Sequence, residues 1–178
     1  VPLIAFAVRR PVLRFYRTIV DALAVAFSTA SSAATLPVAL RIALDDLRIA
    51  PGVAKTVLPI GASIGKDGTA MYVGLLSIFA LQAVGIEPDL PMLAIVLLTG
   101  ALAAFGTAPI PSASLFMLAA VLSAVGVSPE QTALVVGFVL PFDRLLDMTR
   151  TVASASANLT VTSVVGRWEQ ASEPEARE

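Results

Sequence analysis

The apolar residues of this chain come in long blocks that short polar clusters interrupt. A first block runs from Thr18 to about Ala30, meets the polar cluster SSAAT, and resumes from about Leu36 to Asp45. Each arm of about a dozen residues makes about 18 Å of helix, whereas the hydrocarbon core of a bilayer is about 30 Å thick. We therefore predict a re-entrant helical hairpin over 18–48, which enters a membrane without crossing it.

The same pattern returns over 90–127. No charge occurs in this stretch, but its middle reads FGTAPIPSAS, where Gly106, Pro109 and Pro111 interrupt any helix. The two arms are again too short to span a bilayer. We predict a second re-entrant hairpin here.

Two longer apolar stretches, 52–84 and 131–166, follow the two predicted hairpins. Each is long enough to cross a bilayer. The order hairpin, span, hairpin, span is an internal repeat. We predict an all-α membrane protein of two inverted-repeat units, each a re-entrant hairpin followed by a transmembrane helix, the first of which is partly unwound at GKDGT.

The charges of the connecting segments predict an orientation. Basic residues lie on one side of the predicted membrane, and they are Arg9, Arg10, Arg14, Arg17, Arg41, Arg48, Lys55 and Arg167. The other side carries Glu87, Asp89 and Glu130. Because cytoplasmic loops are enriched in Lys and Arg, the first hairpin enters from the cytoplasm and the tail 167–178 is cytoplasmic. We expect a multi-pass protein of the cell (inner or plasma) membrane.

From its first residues we expect the chain to be a fragment of a longer protein or a product truncated upstream. No Met and no signal-type segment precede the apolar residues after Val1. Residues 1–17 are interpreted as the end of a preceding transmembrane helix with a basic cytoplasmic loop.

Composition excludes several classes of protein. Apolar residues make up 57% of the chain and charged residues 14%, against about 25% charged in soluble domains. Cysteine and histidine are absent, which removes disulfides, thiolate metal sites and the usual general base. No basic stripe suggests nucleic acid, and no serine has a persuasive base partner except Lys66. We expect neither an enzyme nor a bound cofactor.

Six charged residues remain inside the apolar blocks: Lys66, Asp67, Asp143, Arg144, Asp147 and Arg150. Their charges sum to zero. Each costs at least about 2.5–3.5 kcal/mol at the centre of a membrane helix, so they mark a polar pathway or site.

The last predicted span carries a polar helical face. Asp143, Asp147, Arg150, Ser154 and Asn158 follow spacings of four, three, four and four, which place them on one side of a helix. Asp147 suits an ammonium group and Arg150 a carboxylate, as in a zwitterion with an extra acid. The alternative is that these two residues only neutralise each other.

The first predicted span is rich in glycine. Gly61, Gly65 and Gly68 each weaken a helix by about 1 kcal/mol, which favours an unwound stretch whose carbonyls bind a cation or polar ligand beside Asp67. The alternative is close helix packing through small residues.

Both hairpin tips carry small hydroxyl residues, namely Ser31, Ser32 and Thr35 in the first and Thr107, Ser112 and Ser114 in the second. Helix N-termini at such tips offer N–H groups to a carboxylate. The same serines can equally be simple helix caps.

These motifs resemble the dicarboxylate/amino acid:cation symporter family, the archaeal and bacterial relatives of the excitatory glutamate transporters. SSAATLPVALR resembles the first hairpin tip, LPIGASIGKDGTAMY the NMDGT region of the seventh helix, GTAPIPSAS the second tip, and DRLLDMTRTVASASAN the eighth helix. The resemblance covers nearly the whole chain. The sequence does not include the family's upstream scaffold helices, which trimerise, or two further helices of its mobile domain. It implies a symporter-type secondary transporter that is a homotrimer at full length.

The resemblance also implies a substrate site. Its positions are Ser31, Ser32, Thr69, Ala108, Pro109, Ile110, Pro111, Ser112, Asp147, Arg150, Thr151 and Ser154. Asp147 stands where amino-acid carriers bind the substrate amine, and Arg150 where acidic substrates place their side-chain carboxylate. The implied substrate is aspartate or glutamate, and the alternatives are a C4-dicarboxylate carrier or a truncated fragment that cannot transport.

At the cation-binding positions that the resemblance implies, several residues differ from those of the family. They are Gly61, Ser63, Gly65, Lys66, Asp67, Ala104, Phe105, Thr107, Ser154 and Asn158. Gly65 and Lys66 replace the Asn and Met of NMDGT, while Ser154 and Asn158 replace a cation-binding Asn and Asp. The sodium sites are thus degraded, and the coupling ion is sodium or a proton.

We hypothesise that the Lys66 ammonium replaces one sodium ion. A fixed ammonium gives a uniporter or exchanger, and a titrating one gives proton coupling. The alternative is a structural Lys66 in a protein that keeps another sodium site.

Overall fold

The computed structural model of the chain describes residues 11–172. Within this range it forms helices and no strand, so the predicted all-α class is confirmed. The elements are α1 (Val12–Thr29), α2 (Ser32–Arg41), a π-helical turn (Ile42–Asp46), α3 (Pro51–Ile64), α4 (Asp67–Ala83), α5 (Leu90–Gly106), α6 (Ala113–Ala124) and α7 (Pro129–Ser172). The predictions made for 1–10 and 173–178 lie outside the described residues.

Local side-chain caps fix where α5 and α7 begin. The carboxylate of Asp89 accepts a hydrogen bond of 2.8 Å from the Met92 N–H. At the start of α7, the Ser128 N–H donates to the Gln131 side chain and the Gln131 N–H donates to the Ser128 hydroxyl, each at 3.2 Å. Such reciprocal caps satisfy N–H groups that a helix leaves without partners.

The first hairpin is formed by α1 and α2, which meet at Ala30 and Ser31. Helix α1 begins at Val12 rather than at Thr18, because Pro11 is well suited to precede a helix and the next turns already bury Phe15 against the core. Ala30 adopts the left-handed conformation, with φ of 51°, and ends the helix.

The predicted span 52–84 is divided. Helix α3 ends at Ile64 and α4 starts at Asp67, so that Gly65 and Lys66 form a break between helices of 14 and 17 residues. Helix α7 is 44 residues long but carries four charged residues in its middle. Among residues 11–172, no helix combines the length and the apolar character needed to cross a membrane.

Helix α7 passes through two hydrophobic cores. Its C-terminal half contributes Leu159 to a core built mainly by α1, α2, the π turn and α3. Its N-terminal half contributes Val135 and Val139 to a core built mainly by α4, α5 and α6. The middle of α7, residues 143–158, therefore lies between the two cores, beside the α3–α4 break.

Glycines allow the α3–α4 segment to approach α7 very closely. A Cβ atom built on Gly68 would lie 2.0 Å from the Arg150 carbonyl oxygen, and one on Gly65 would lie 2.1 Å from Asn158 Oδ1. Both interpretations of the glycine cluster therefore apply, since the helix is interrupted and the small residues also pack closely.

We expect Gly68→Ala to destabilise the natural protein that contains this chain by about 1–3 kcal/mol or more, because the backbone of α7 cannot move away locally. Gly74→Ala on the same helix is the matched control, since its Cβ would meet nothing within 4 Å. Thermal unfolding of the purified proteins measures the difference. Equal unfolding temperatures for the two variants would contradict the close packing.

Candidate functional site

The polar face predicted for α7 is buried in the structure. Asp143, Asp147, Arg150 and Ser154 are all nearly inaccessible to solvent. Two other charged residues predicted to lie in the apolar blocks, Asp67 and Arg144, are exposed. Arg144 donates a hydrogen bond of 3.3 Å to the Ser28 carbonyl of the first hairpin.

The centre of the site is an ion pair between Asp147 and Arg150, one helical turn apart. Arg150 Nη1 also donates a hydrogen bond of 2.6 Å to Thr69 Oγ1 on α4. The guanidinium carbon lies 5.8 Å from the centre of the Tyr72 ring, which is within the range of a cation–π contact. Arg150 Nε has no hydrogen-bond partner among residues 11–172, so this guanidinium keeps a donor for a further group.

The second hairpin tip contacts the same carboxylate. The Ser112 N–H donates a hydrogen bond of 2.7 Å to Asp147 Oδ2, and Ser112 is in the left-handed conformation, with φ of 59°. Serine in this conformation is uncommon, which indicates that the surrounding contacts hold the tip in place. The backbone N–H at the start of α6 thus binds an anionic group.

The two hairpin tips also contact each other. The Ser31 hydroxyl donates a hydrogen bond of 2.8 Å to the Pro109 carbonyl. It also accepts a longer one, 3.3 Å, from the Ala34 N–H and so caps α2. Ser31 therefore serves both as a cap and as a link between the tips, which meet near Asp147 because Pro109 and Ser112 belong to the same loop.

Asp143 has a partner that the sequence did not reveal. The Tyr72 hydroxyl on α4 donates a hydrogen bond of 2.5 Å to Asp143 Oδ1, while Oδ2 has no partner among the described residues. Tyr72 therefore contacts both Asp143 and Arg150 and connects the two charges. The signal available in the sequence was the position of Tyr72 one turn after Thr69 in the DGTAMY motif.

The implied cation positions form no acidic cage. The Gly68 N–H donates to Ser154 Oγ at 3.1 Å, so this hydroxyl already has a partner at the start of α4. The Asn158 amide lies against Gly61 and Gly65 and borders a cavity of about 20 Å³. Residues 11–172 contain no group of three or more acidic residues that could hold a metal ion.

The remaining predicted residues are dispersed around this centre. Buried ones are Lys66, Ala104, Thr107 and Thr151, and exposed ones are Ser63, Phe105, Ala108, Ile110 and Pro111. Thr107 and Thr151 donate to carbonyl groups of their own helices, at 2.9 and 2.8 Å. Ser32 borders the cavity beside Asn158. The structure therefore brings together Ser31, Thr69, Ser112, Asp147, Arg150 and Ser154, and leaves most of the second tip open.

An all-α chain with a buried polar face beneath two hairpin tips matches a known class of membrane transporter. The profile of the Sodium:dicarboxylate symporter family matches residues 1–168, and the chain belongs to this family. The resemblance inferred from the motifs is thus confirmed, and the family is one of transporters, not of enzymes.

Individual relatives are excitatory amino acid transporters. The chain is 43% identical to excitatory amino acid transporter 2 of Mus musculus over 151 residues, which are 84% of this chain and 26% of the relative. It is 34% identical to excitatory amino acid transporter 3 of Mus musculus over 165 residues, 92% of this chain and 31% of the relative. A putative sodium-dependent excitatory amino acid transporter of Caenorhabditis elegans is 34% identical over 159 residues, 89% of this chain and 31% of the relative. The chain spans about a quarter to a third of the length of these relatives.

We expect Tyr72→Phe to lower the free energy of unfolding by about 1.5–3 kcal/mol, because Asp143 loses a hydrogen bond to a charged group. The chain has one other tyrosine, Tyr16, whose hydroxyl accepts a bond of 3.2 Å from uncharged Ser156. Tyr16→Phe should therefore cost only about 0.5–1.5 kcal/mol. Denaturation of both variants of the natural protein tests this order, and a larger loss for Tyr16→Phe would contradict it.

Proposed function

We propose that the natural protein containing this chain is a symporter-type secondary transporter of an acidic amino acid such as aspartate or glutamate, and that this chain forms its substrate site. The buried Asp147–Arg150 pair beneath the two hairpin tips is the observation that carries the proposal. Family membership and the names of the relatives agree with it.

The pair suits a ligand that has both signs of charge. Asp147 accepts hydrogen bonds only, as an ammonium requires, and Arg150 offers a planar fork to a carboxylate. When such a ligand enters, its ammonium replaces the guanidinium at Asp147 and its side-chain carboxylate replaces Asp147 at Arg150. Both charges keep an opposite partner throughout, which avoids leaving a buried charge unpaired.

The hairpin tips suit the second carboxylate of the ligand. The Ser112 N–H already binds one carboxylate, that of Asp147, at the start of α6. Helix N-termini favour anions because their N–H groups lack partners and the helix dipole is positive there. Ser31 and Ser32 at the start of α2 complete this proposed part of the site.

The exterior of the structure supports a membrane setting. Leu97, Phe116 and Leu134 are each 75% exposed, whereas four charged side chains are buried. This inverted distribution fits a surface covered by lipid or by further helices. We place the protein in the cell membrane, inner or plasma, as a homotrimer with a cytoplasmic C-terminus. The hairpins and α3, α4 and α7 then form two inverted-repeat units.

A C4-dicarboxylate is the second candidate substrate, because the family name includes dicarboxylates and Arg150 suits any carboxylate. An acidic amino acid carries an amino group and a C4-dicarboxylate does not. Among the residues of the proposed site, Asp147 is the one that would bind this group.

Asp147→Asn should separate these substrates. We expect the affinity for L-aspartate to fall at least about 30-fold, since one partner of a buried charge pair is removed. The affinity for succinate should not fall. Competition with radiolabelled substrate in proteoliposomes measures both, and Asp21→Asn, an exposed carboxylate paired with Arg41, is the control. Strong succinate binding that exceeds aspartate binding in the wild type would instead establish the dicarboxylate carrier.

Arg150→Gln should change the selectivity between amino acids. We expect aspartate affinity to fall at least about 30-fold, because the side-chain carboxylate loses its charged partner. Affinity for serine, which has no second carboxylate, should fall less. The control is Arg144→Gln, one exposed arginine on the same helix. An equal loss for both amino acids would assign Arg150 a structural role.

A further inference from the structure

Lys66 is a buried cation that the proposed substrate site leaves without a role. Its side chain is 4% exposed and lies at the break between α3 and α4. It takes part in none of the ion pairs that residues 11–172 form. Burying a charge in this way is costly, so a structural role alone is a poor explanation.

The surroundings of Lys66 do not fit a sodium ion. Broken helices can bind sodium through free carbonyl groups at the break. Here Asn158 is a neutral amide, and its oxygen fills the space beside Gly65. Asp67, the neighbouring carboxylate, is exposed at the first turn of α4. A sodium ion at this break would meet the Lys66 ammonium without a buried carboxylate dedicated to it.

Lys66 balances the other charges buried around the site. The buried charged residues within 11–172 are Lys66, Arg150, Asp143 and Asp147, whose charges sum to zero. Without Lys66 the sum is −1. An acidic amino acid adds a further −1 when it binds, so the site needs a cation most in the state with substrate bound.

We propose that the Lys66 ammonium is a permanently attached cation that takes the place of a dissociable sodium ion at the α3–α4 break, so that the acidic amino acid binds without sodium. The inference rests on the proposed function for its substrate site, and it changes the coupling from symport with sodium to transport without a dissociable cation. Of the two forms that the sequence left open, a fixed and a titrating ammonium, the proposal commits to the fixed one.

The test is calorimetric titration of the purified natural protein with L-aspartate, in sodium chloride and in choline chloride. The wild type should bind with the same affinity in both salts, within about twofold. Lys66→Met should bind at least about tenfold more weakly than the wild type in both salts, a change of about 1.4 kcal/mol, because the break offers no buried carboxylate to a sodium ion. Lys66→Arg should resemble the wild type, because it keeps the charge.

The chain provides a matched control in Lys55, the other of its two lysines, which is exposed on α3. Lys55→Met should behave as the wild type in both salts. A second readout is the thermal unfolding temperature of the wild type, which replacing choline by sodium should leave unchanged, because no sodium ion binds at the break.

Each contrary result has a distinct meaning. Loss of wild-type binding in choline would overturn the attached cation and leave the proposed function standing. Unchanged, salt-independent binding by Lys66→Met would show that Lys66 is only structural. Absence of aspartate binding by the wild type in both salts would refute the proposed function. The wild-type comparison can overturn the proposal even when Lys66→Met does not fold, and Lys66→Arg then tests whether a cation at this position suffices.

Discussion

The structure depends on finding partners for charges that an apolar bundle buries. Helix α7 presents Asp143, Asp147 and Arg150 on one side, toward protein and away from solvent. Each charge contacts a polar group of another element or of its own helix, namely the Tyr72 hydroxyl, the Ser112 N–H, the Thr69 hydroxyl and the ion pair itself. Because an unpaired buried charge costs several kcal/mol, these contacts fix how α4 and the second hairpin lie against α7.

The α3–α4 break makes these contacts possible. Gly65 and Gly68 bring the backbone of this segment against α7, at a separation that no side chain would allow. The Gly68 N–H, freed by the start of a new helix, then reaches Ser154, and Thr69 reaches Arg150. The break is therefore a closely packed junction, and the same feature that unwinds the helix also positions the polar groups of α4.

The sequence predicted the parts of this arrangement that depend on periodicity and on strong helix breakers. The spacing of α7 identified its buried face, and Pro109, Pro111 and Gly106 marked the second tip. Tyr72 escaped notice because a single aromatic residue in an apolar helix has the pattern of a core residue.

Other predictions were less accurate because they required knowledge of neighbouring elements. Asp67 was expected to accompany the unwound segment, but it is exposed, whereas the preceding residue Lys66 is buried. Lys66 lies in the break, with φ of −106° and ψ of 41°, so helical periodicity could not predict which of the two residues faces inward. The interruption predicted at GKDGT within 52–84 was found at Gly65 and Lys66, and α7 covers 131–166 as one helix, but no helix within 11–172 is both long and apolar enough to cross a membrane.

A cation that is part of the protein changes the energetics of transport. A sodium ion that binds and is released neutralises the substrate during the crossing and couples transport to the sodium gradient. In the proposed transporter, the Lys66 ammonium would return with the protein after each cycle, so the net charge of −1 on the acidic amino acid would cross without compensation. Moving one charge against 100 mV costs about 2.3 kcal/mol, which corresponds to a gradient of about 50-fold. Net uptake into a negatively charged interior is thereby disfavoured, whereas exchange of one acidic amino acid for another moves no net charge. The charge balance around Lys66 thus favours exchange over accumulation.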